Sequence, residues 1–179
     1  MSDPRLQSLL DKDEIRDVVM RFARGMDRHD WELVRSCYHA DAVDDHGPFK
    51  GPADEYVSWV SQSLPGLAET TMHLIGNVLI ELDGDLAKCE SYVIGYHRYA
   101  REDGSRWDWL GGGRYVDDFA RRDGVWKIAC RVLTWEWVRD DRVDQQWEGF
   151  GIEGFEAYTW GTHDRTDPVY RPPTPSPRS

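Results

Sequence analysis

Four long extended segments in the second half of the chain constrain its fold more than any other feature. Val, Ile, Tyr and Trp, which favour β-strands, are frequent in residues 70–82, 86–101, 106–121 and 125–138. The segments are separated by DGD (83–85), EDGS (102–105) and RDG (122–124). Short connections that contain glycine are typical of β-hairpins, so the pattern predicts an antiparallel meander.

Three helices are predicted ahead of this sheet. In residues 11–28, apolar side chains recur at helical spacing and arginines follow the opposite side. Asp30 can cap a short second helix through Cys37, and residues 51–64 are predicted to form a third helix with Pro52 at its start. Helices followed by a long curved sheet predict an α+β domain whose concave face is roofed by helices and encloses a pocket.

Two segments resemble binding motifs in composition only. Residues 39–48 contain His39, His46 and three aspartates, but their spacing matches no standard metal site, and we interpret them as a solvated loop near the pocket mouth. LGGGRY (110–115) is not followed by the GK[ST] sequence or the helix of a phosphate loop. Its glycines are expected to let a strand curve or bulge.

The chain length favours one domain. The 179 residues, 40% of them hydrophobic, suffice for one packed core, which we assign to residues 1–140. Residues 141–170 are dense in Gly and aromatics and are predicted to lie against this domain or a neighbouring subunit, because exposed aromatic side chains are costly. Residues 171–179 are rich in proline and are predicted to be disordered.

Charge and cysteine usage exclude several classes of protein. A net charge of -11 disfavours nucleic acids and anionic membranes as partners. No signal-peptide pattern begins the chain, and no segment approaches the roughly 18 consecutive apolar residues of a spanning helix. The 3 cysteines form no CxxC pair, so a disulfide framework and a zinc site are not expected, and a reducing cytoplasm fits best.

Asp27 and His73 are the two strongest candidates for catalysis. Asp27 lies between the apolar and arginine sides of the first predicted helix, although it could equally be a linker residue before the Asp30 cap. His73 lies in a strand in which strict alternation places Met72, Leu74 and Val78 on the opposite face, and because both faces are largely apolar its ring N–H needs a partner. A backbone carbonyl could satisfy it, whereas a carboxylate such as Asp27 would fix the tautomer and make the opposite nitrogen a better base.

Three further residues are candidates for the same pocket. His97 alternates along its strand with Ser91 and Val93 and is expected to face the concave side. Arg131 lies among apolar neighbours, where a buried guanidinium would suggest anion binding or stabilisation of a leaving group. With a three-residue RDG loop, Tyr115 would lie opposite Arg131 and could donate a hydrogen bond. A plain structural role is the alternative for each.

Several segments together resemble a known family. IRDVVMRFARGMDRHDWELVRSCYHADA, GPADEYVSWV, TTMHLIGNVLIEL, IGYHRY and GRYVDDFARRDGVWKIACR are similar to the SnoaL-like branch of the nuclear-transport-factor-2-like superfamily, over about residues 8–138. Within that branch the chain most resembles scytalone dehydratase, bile-acid dehydratase and hexachlorocyclohexane dehydrochlorinase. The resemblance implies a cone-shaped α+β barrel, elimination or isomerisation without a cofactor, and a homo-oligomer, with a trimer favoured over a dimer.

The resemblance also implies roles for individual residues. Asp27 and His73 match the family's dyad, His97 resembles the second histidine of scytalone dehydratase, and Arg131 resembles the pocket arginine of the dehydrochlorinase. The chain departs from these relatives by having Phe22 in place of the dehydrochlorinase lysine. It also departs from the dehydratase, in which a tyrosine, a serine and an asparagine replace Met26, Gly113 and Tyr115. These departures imply a different substrate.

These features predict a lyase that needs no metal or cofactor. His73 would remove a carbon-bound proton while Asp27 orients it, and water or another small group would leave with help from Arg131, Tyr115 or His97. The many aromatic residues predict an aromatic or polycyclic hydroxylated substrate. An aldehyde-releasing carbon–carbon lyase, an isomerase, a cyclase and a non-catalytic small-molecule-binding module are the alternatives.

Overall fold

The computed structural model describes residues 3–143 and 158–173. Three α-helices and six β-strands follow one another in this part of the chain, and a 3-10 helix comes near its end. The α-helices are α1 (Pro4–Asp27), α2 (Trp31–Ser36) and α3 (Ala53–Leu67). The strands are β1 (Tyr38–Asp45), β2 (Lys50–Pro52), β3 (Thr70–Asp83), β4 (Leu86–Ala100), β5 (Arg106–Arg122) and β6 (Val125–Arg142), and the 3-10 helix is Pro168–Tyr170.

The six strands form one mixed sheet in the order β2-β1-β6-β5-β4-β3. The predicted meander of β3 to β6 is confirmed, and all its pairs are antiparallel, whereas β1 lies parallel to β6. The sheet curls around the helices without closing, so the predicted α+β architecture is confirmed as an open cone. The curl makes β1 and β3, near opposite ends of the sheet, border the same interior.

The core fills the space between the helices and the concave face of the sheet. α1 buries one side, which includes Ile15, Val18, Val19, Phe22 and Met26, as its spacing predicts. The side chain of Asp3 caps its first turn by accepting a hydrogen bond from the main-chain N–H of Arg5, and Asp30 caps α2 in the same way through Leu33. α1 therefore begins earlier than the predicted residue 11.

The interpretation of residues 39–48 as a solvated loop is wrong. Residues up to Asp45 form β1, and Ala42 and Asp44 are buried on its inner face while Val43 is exposed. A carboxylate at an inward position hides the usual alternation of apolar and polar residues, because only the apolar positions mark the buried face. The strand is recognisable once Asp44 is treated as a buried residue.

Two further predictions about the strands are wrong, one because of a β-bulge in β3 and the other because of a shorter turn and a bulge between β5 and β6. Gly76 and Asn77 both lie opposite Tyr92, so Met72 and Leu74 point outward whereas Val78 points inward. β5 and β6 are joined by the two-residue turn Asp123–Gly124 instead of the predicted three-residue loop. A β-bulge between Asp118 and Phe119 then shifts the register of the two strands once more. As a result Tyr115 pairs with Leu133, and Arg131 pairs with Asp117.

The glycines of LGGGRY accommodate a bulge, as the sequence predicts. The register of β5 against β6 shifts between Gly112 and Gly113. A Cβ atom at Gly111 would lie 2.3 Å from the ring of Trp109 and 2.5 Å from that of Trp135. The absence of a side chain there lets these two tryptophans turn toward each other on the inner face, with ring centroids 5.2 Å apart.

The described part of the C-terminal region, residues 158–173, contacts the turn between α1 and α2. Arg28 donates a hydrogen bond to the carbonyl of Thr162 at 3.1 Å, and the hydroxyl of Tyr170 donates one to Asp30 at 3.1 Å. Trp147, Phe150 and Phe155 of the predicted extension, and residues 174–179 of the predicted tail, lie outside the described residues. Among the helices that are described, none has the length and apolar character needed to cross a bilayer.

Candidate active site

A cavity of about 130 Å³ lies between the helices and the concave face of the sheet. Its lining is mainly apolar and aromatic, with three histidines and two tyrosines among the residues Met26, His46, Tyr56, Trp59, Val60, Leu64, His73, Val93, Gly95, His97, Trp109, Tyr115, Leu133 and Trp135. Trp59 and Trp135 are 42% and 44% exposed and therefore mark the mouth. A few polar groups in an apolar hollow are typical of a small-molecule site.

Asp27 binds His73 through both carboxylate oxygens. Its Oδ1 lies 2.7 Å from Nδ1 of the imidazole, and its Oδ2 accepts a hydrogen bond from the main-chain N–H of the same residue at 2.9 Å. Asp27 is the last residue of α1 and His73 the fourth of β3, so the contact joins the helix to the sheet. When Nδ1 carries the proton shared with Asp27, Nε2 is left as the basic nitrogen.

His97 lines the cavity beside His73, with ring centroids 5.6 Å apart. Its Nδ1 lies 3.3 Å from the hydroxyl of buried Thr71. Burial, reinforced by the neighbouring His73, lowers the pKa of His97 to about 4. His97 is therefore a neutral imidazole near pH 7 and can offer a hydrogen bond to a developing negative charge.

Tyr115 lines the cavity, and Arg131 lies behind it. Arg131 is 0% exposed, binds Asp117 through two hydrogen bonds of 2.7 Å, and its guanidinium lies 4.0 Å from the ring centroids of both Phe22 and Tyr115. Asp117 compensates its charge, so Arg131 does not require a bound anion. The guanidinium of Arg131 packs against the ring of Tyr115. Burial raises the pKa of Tyr115, so its hydroxyl stays protonated.

The third histidine of the cavity, His46, contacts the buried carboxylate of Asp44, and neither residue was predicted to belong to the site. Nδ1 of His46 lies 2.5 Å from Oδ1 of Asp44, and Nε2 lies 3.2 Å from the hydroxyl of Tyr56. The other oxygen of Asp44 accepts a hydrogen bond from the hydroxyl of Tyr38 at 2.6 Å. The signal in the sequence was the spacing of Ala42, Asp44 and His46 along β1 and just beyond its end.

A second, larger groove of the described chain is less suited to a small molecule. This groove of about 540 Å³ outside α2 and α3 is bordered by charged side chains, of which Arg35 and Asp54 pair with each other at 2.6 Å. It lacks the enclosed apolar walls of a small-molecule site. Across residues 3–143 and 158–173, no cluster of three or more His, Cys, Asp or Glu side chains has the arrangement of a metal site.

Solved structures of other proteins share this fold. A hexachlorocyclohexane dehydrochlorinase, LinA type 2, is 20% identical over 83% of this chain and 99% of its own, with a TM-score of 0.71. A protein from Novosphingobium aromaticivorans, provisionally assigned as a scytalone dehydratase, is 22% identical over 76% and 91%, with a TM-score of 0.67. A variant of Rv3472 from Mycobacterium tuberculosis, a protein of unknown function, is 22% identical over 79% and 78%, with a TM-score of 0.62.

At these identities the likeness shows a common fold. A search of curated proteins finds no match to this chain. The family model described as the SnoaL-like domain matches residues 7–132, which include every cavity residue except Leu133 and Trp135. The chain therefore belongs to the SnoaL-like domain family, within the nuclear-transport-factor-2-like superfamily.

Proposed function

We propose that the protein is a cofactor-independent lyase that eliminates water from a small hydroxylated aromatic compound. In this mechanism Nε2 of His73 removes a proton from a carbon next to the one that bears the hydroxyl. The electrons of that C–H bond form the double bond, and the C–O bond breaks. Asp27 holds the imidazole in place and compensates the positive charge that it gains.

The observation that carries the proposal is the two-point contact of Asp27 with His73 at the wall of an apolar cavity. A base held in this way loses little entropy when it acts, and an enclosed apolar site strengthens its electrostatic interactions. Neutral His97 and the protonated hydroxyl of Tyr115 would donate hydrogen bonds to the developing negative charge. Two relatives with this fold are, by name, a dehydrochlorinase and a provisional dehydratase, and both names describe eliminations.

The cavity volume favours a substrate with one aromatic ring. An apolar cavity of roughly 150 Å³ holds benzene, and this cavity measures about 130 Å³. Trp109 and Trp135 supply faces and edges against which such a ring can pack. A polycyclic substrate would require the mouth at Trp59 and Trp135 to open.

We also propose that the protein is a homo-oligomer, with a trimer favoured, in the cytoplasm. The outer face of the sheet exposes a continuous apolar patch that includes Leu74, Tyr92, Ile94 and Trp137 around a shallow groove. Patches of this kind mark protein interfaces, and a second copy of the chain would cover it. All three cysteines are free thiols, which suits a reducing compartment.

The test is turnover of a panel of single-ring aromatic compounds that carry a hydroxyl β to an acidic C–H bond. Wild type should yield a product lighter by one water, detected by mass spectrometry, and His73→Ala should lower the rate by at least about 100-fold. Incubation in D₂O should also introduce deuterium at the acidic carbon of the substrate with wild type.

Other outcomes would replace the proposal with a named alternative. A product of unchanged mass would identify an isomerase or a cyclase, and release of formaldehyde or another aldehyde would identify a carbon–carbon lyase. Tight binding without conversion, unaffected by His73→Ala, would identify a binding module.

A further inference from the structure

Asp44 and His46 repeat, at the other end of the sheet, the arrangement of Asp27 and His73. In both pairs a buried or nearly buried carboxylate contacts Nδ1 of a histidine that lines the cavity, at 2.5 Å and 2.7 Å. His46 follows β1 and His73 belongs to β3, which lie near opposite ends of the curled sheet. The two imidazoles therefore approach the same cavity from different walls.

The buried carboxylate of Asp44 depends on His46 as a hydrogen-bonding partner. Asp44 is 1% exposed and neighbours Arg131 in the sheet, but the two hydrogen bonds of Arg131 go to Asp117 on the other side. The pair of Arg131 and Asp117 is neutral, which leaves the charge of Asp44 to be compensated. A buried carboxylate is costly without a cationic or hydrogen-bonding partner, and its partners are the hydroxyl of Tyr38 and the ring of His46.

Tyr56 extends this pair into the cavity. Its ring stacks on that of His46 with centroids 4.4 Å apart, and its hydroxyl lies 3.2 Å from Nε2. Burial raises the pKa of Tyr56 well above its usual value, so its hydroxyl remains protonated and can both accept and donate a hydrogen bond. A proton on Nε2 of His46 thus has a route toward a group bound in the cavity.

We propose that His46, oriented by Asp44, is the general acid that protonates the departing hydroxyl, directly or through the hydroxyl of Tyr56. This inference rests on the proposed elimination. It assigns removal of the carbon-bound proton to His73 on β3 and protonation of the leaving group to His46 beyond the end of β1. His73 takes the proton from carbon, the C–O bond breaks, and the oxygen leaves as water with the proton of His46. The charge of Asp27 then compensates His73, while exchange with solvent restores both histidines.

The experiment compares two leaving groups on one carbon skeleton. A phenyl-substituted β-hydroxyketone needs a proton for its leaving group, whereas the β-chloroketone with the same skeleton releases chloride without one. Each is assayed with wild type, His46→Gln and His73→Ala, with the uncatalysed rate subtracted. Deuterium uptake by the hydroxyketone from D₂O reports proton removal alone. His39→Gln is the matched control, because His39 lies on β1 but bonds the carbonyl of Ala120 outside the cavity.

His46→Gln should slow loss of water by at least about 100-fold, while loss of chloride and deuterium uptake fall by less than about tenfold. His73→Ala should reduce all three rates. The proposed role of His46 would be overturned if His46→Gln slowed loss of water and loss of chloride by the same factor, or if it left the rate of water loss unchanged. If wild type promotes neither elimination nor deuterium uptake, the proposed function itself fails.

A second variant separates chemistry from folding. The side chain of His46 also contacts α3 through Tyr56, so the free energy of unfolding of each variant is measured in urea. His46→Ala leaves space for free imidazole, and added imidazole should restore loss of water without changing loss of chloride. Absence of rescue in a folded His46→Ala protein would count against a proton-transfer role.

Discussion

The carboxylate of Asp27 contacts both the ring nitrogen and the main-chain N–H of His73, at 2.7 Å and 2.9 Å. The contact fixes the position of the strand as well as the orientation of the imidazole. A side chain that performs both tasks links the position of the helix end to the orientation of the imidazole.

Asp27→Asn should preserve the fold but remove the charge that supports His73. The amide can still bond the main chain, although it no longer compensates an imidazolium, so we expect kcat to fall by about 100-fold or more with little change in KM. Asp17→Asn makes the same change on the exposed side of α1 and should leave kcat unaltered. Equal kinetics for the two variants would contradict the proposed role of Asp27.

The lowered pKa of His97 should make the protein less stable as the pH falls. Its pKa is about 4 in the folded protein and near 6.5 when unfolded. Between these values the unfolded chain binds more protons, so this group lowers the free energy of unfolding as the pH falls from 6.5 to 4, by at most about 3 kcal/mol. His97→Asn should flatten that part of the curve in urea titrations, and an unchanged slope would show that His97 does not cause it.

Gly95→Ala tests whether substrate occupies the cavity beside the histidines. The added methyl group would lie 3.5 Å from the ring of Trp109 and 3.8 Å from Nε2 of His97, which are ordinary contacts. The fold should therefore remain stable while KM for single-ring substrates rises about tenfold. Gly66→Ala adds the same group at an exposed position of α3, where it meets no neighbouring atom within 4 Å, and serves as the control, with KM expected to stay at the wild-type value.

Arg131 should matter more for stability than for anion binding. Arg131→Met removes the partner of Asp117 and leaves a buried carboxylate, at a cost of about 3–5 kcal/mol in the free energy of unfolding. The double variant with Asp117→Leu should recover most of this loss, because no uncompensated charge then remains. Urea denaturation measures both, and a mild effect of the single variant would show that Asp117 is not charged in the folded protein.

If the exposed apolar patch on the outer face of the sheet is a subunit interface, a charge within it should prevent assembly. Leu74→Glu places a charge in the centre of the exposed apolar patch and should convert the oligomer to monomers in sedimentation experiments. Leu9→Glu makes the same change at an exposed position of α1 and should leave the assembly intact. A wild-type monomer would contradict the proposed oligomer directly.

The elements that the sequence predicts best are those whose burial follows a simple period. The hairpins from β3 to β6 have recognisable turns and are predicted nearly to their ends, and the apolar spacing of α1 predicts all of that helix except its first turns. β1 is missed because Asp44 occupies an inward position, and the faces of β3 are misassigned because Gly76 and Asn77 form a bulge. Buried charges and bulges depend on partners from distant strands, which a local pattern does not contain.

The same reasoning explains which site residues the sequence reveals. His73 is conspicuous because it lies in a strand that is apolar on both faces, and Asp27 because it borders the apolar side of α1. His46 and Asp44 lie among other polar residues, and the parallel pairing of β1 with β6 buries Asp44 and brings His46 to the cavity. His46 and His73 line the same cavity because of the order and curl of all six strands, which no local stretch of sequence encodes.

The bulge at Gly112 and Gly113 therefore has a consequence for substrate choice. It lies on β5, near the middle of the sheet, and a β-bulge bends the strand that carries it, so we expect this bulge to contribute to the curl of the sheet. Replacing these glycines would then be expected to flatten the wall and to widen the gap between β1 and β3. Main-chain curvature would then set the length of substrate that can contact the cavity walls near both β1 and β3, without any change to the polar side chains of the cavity.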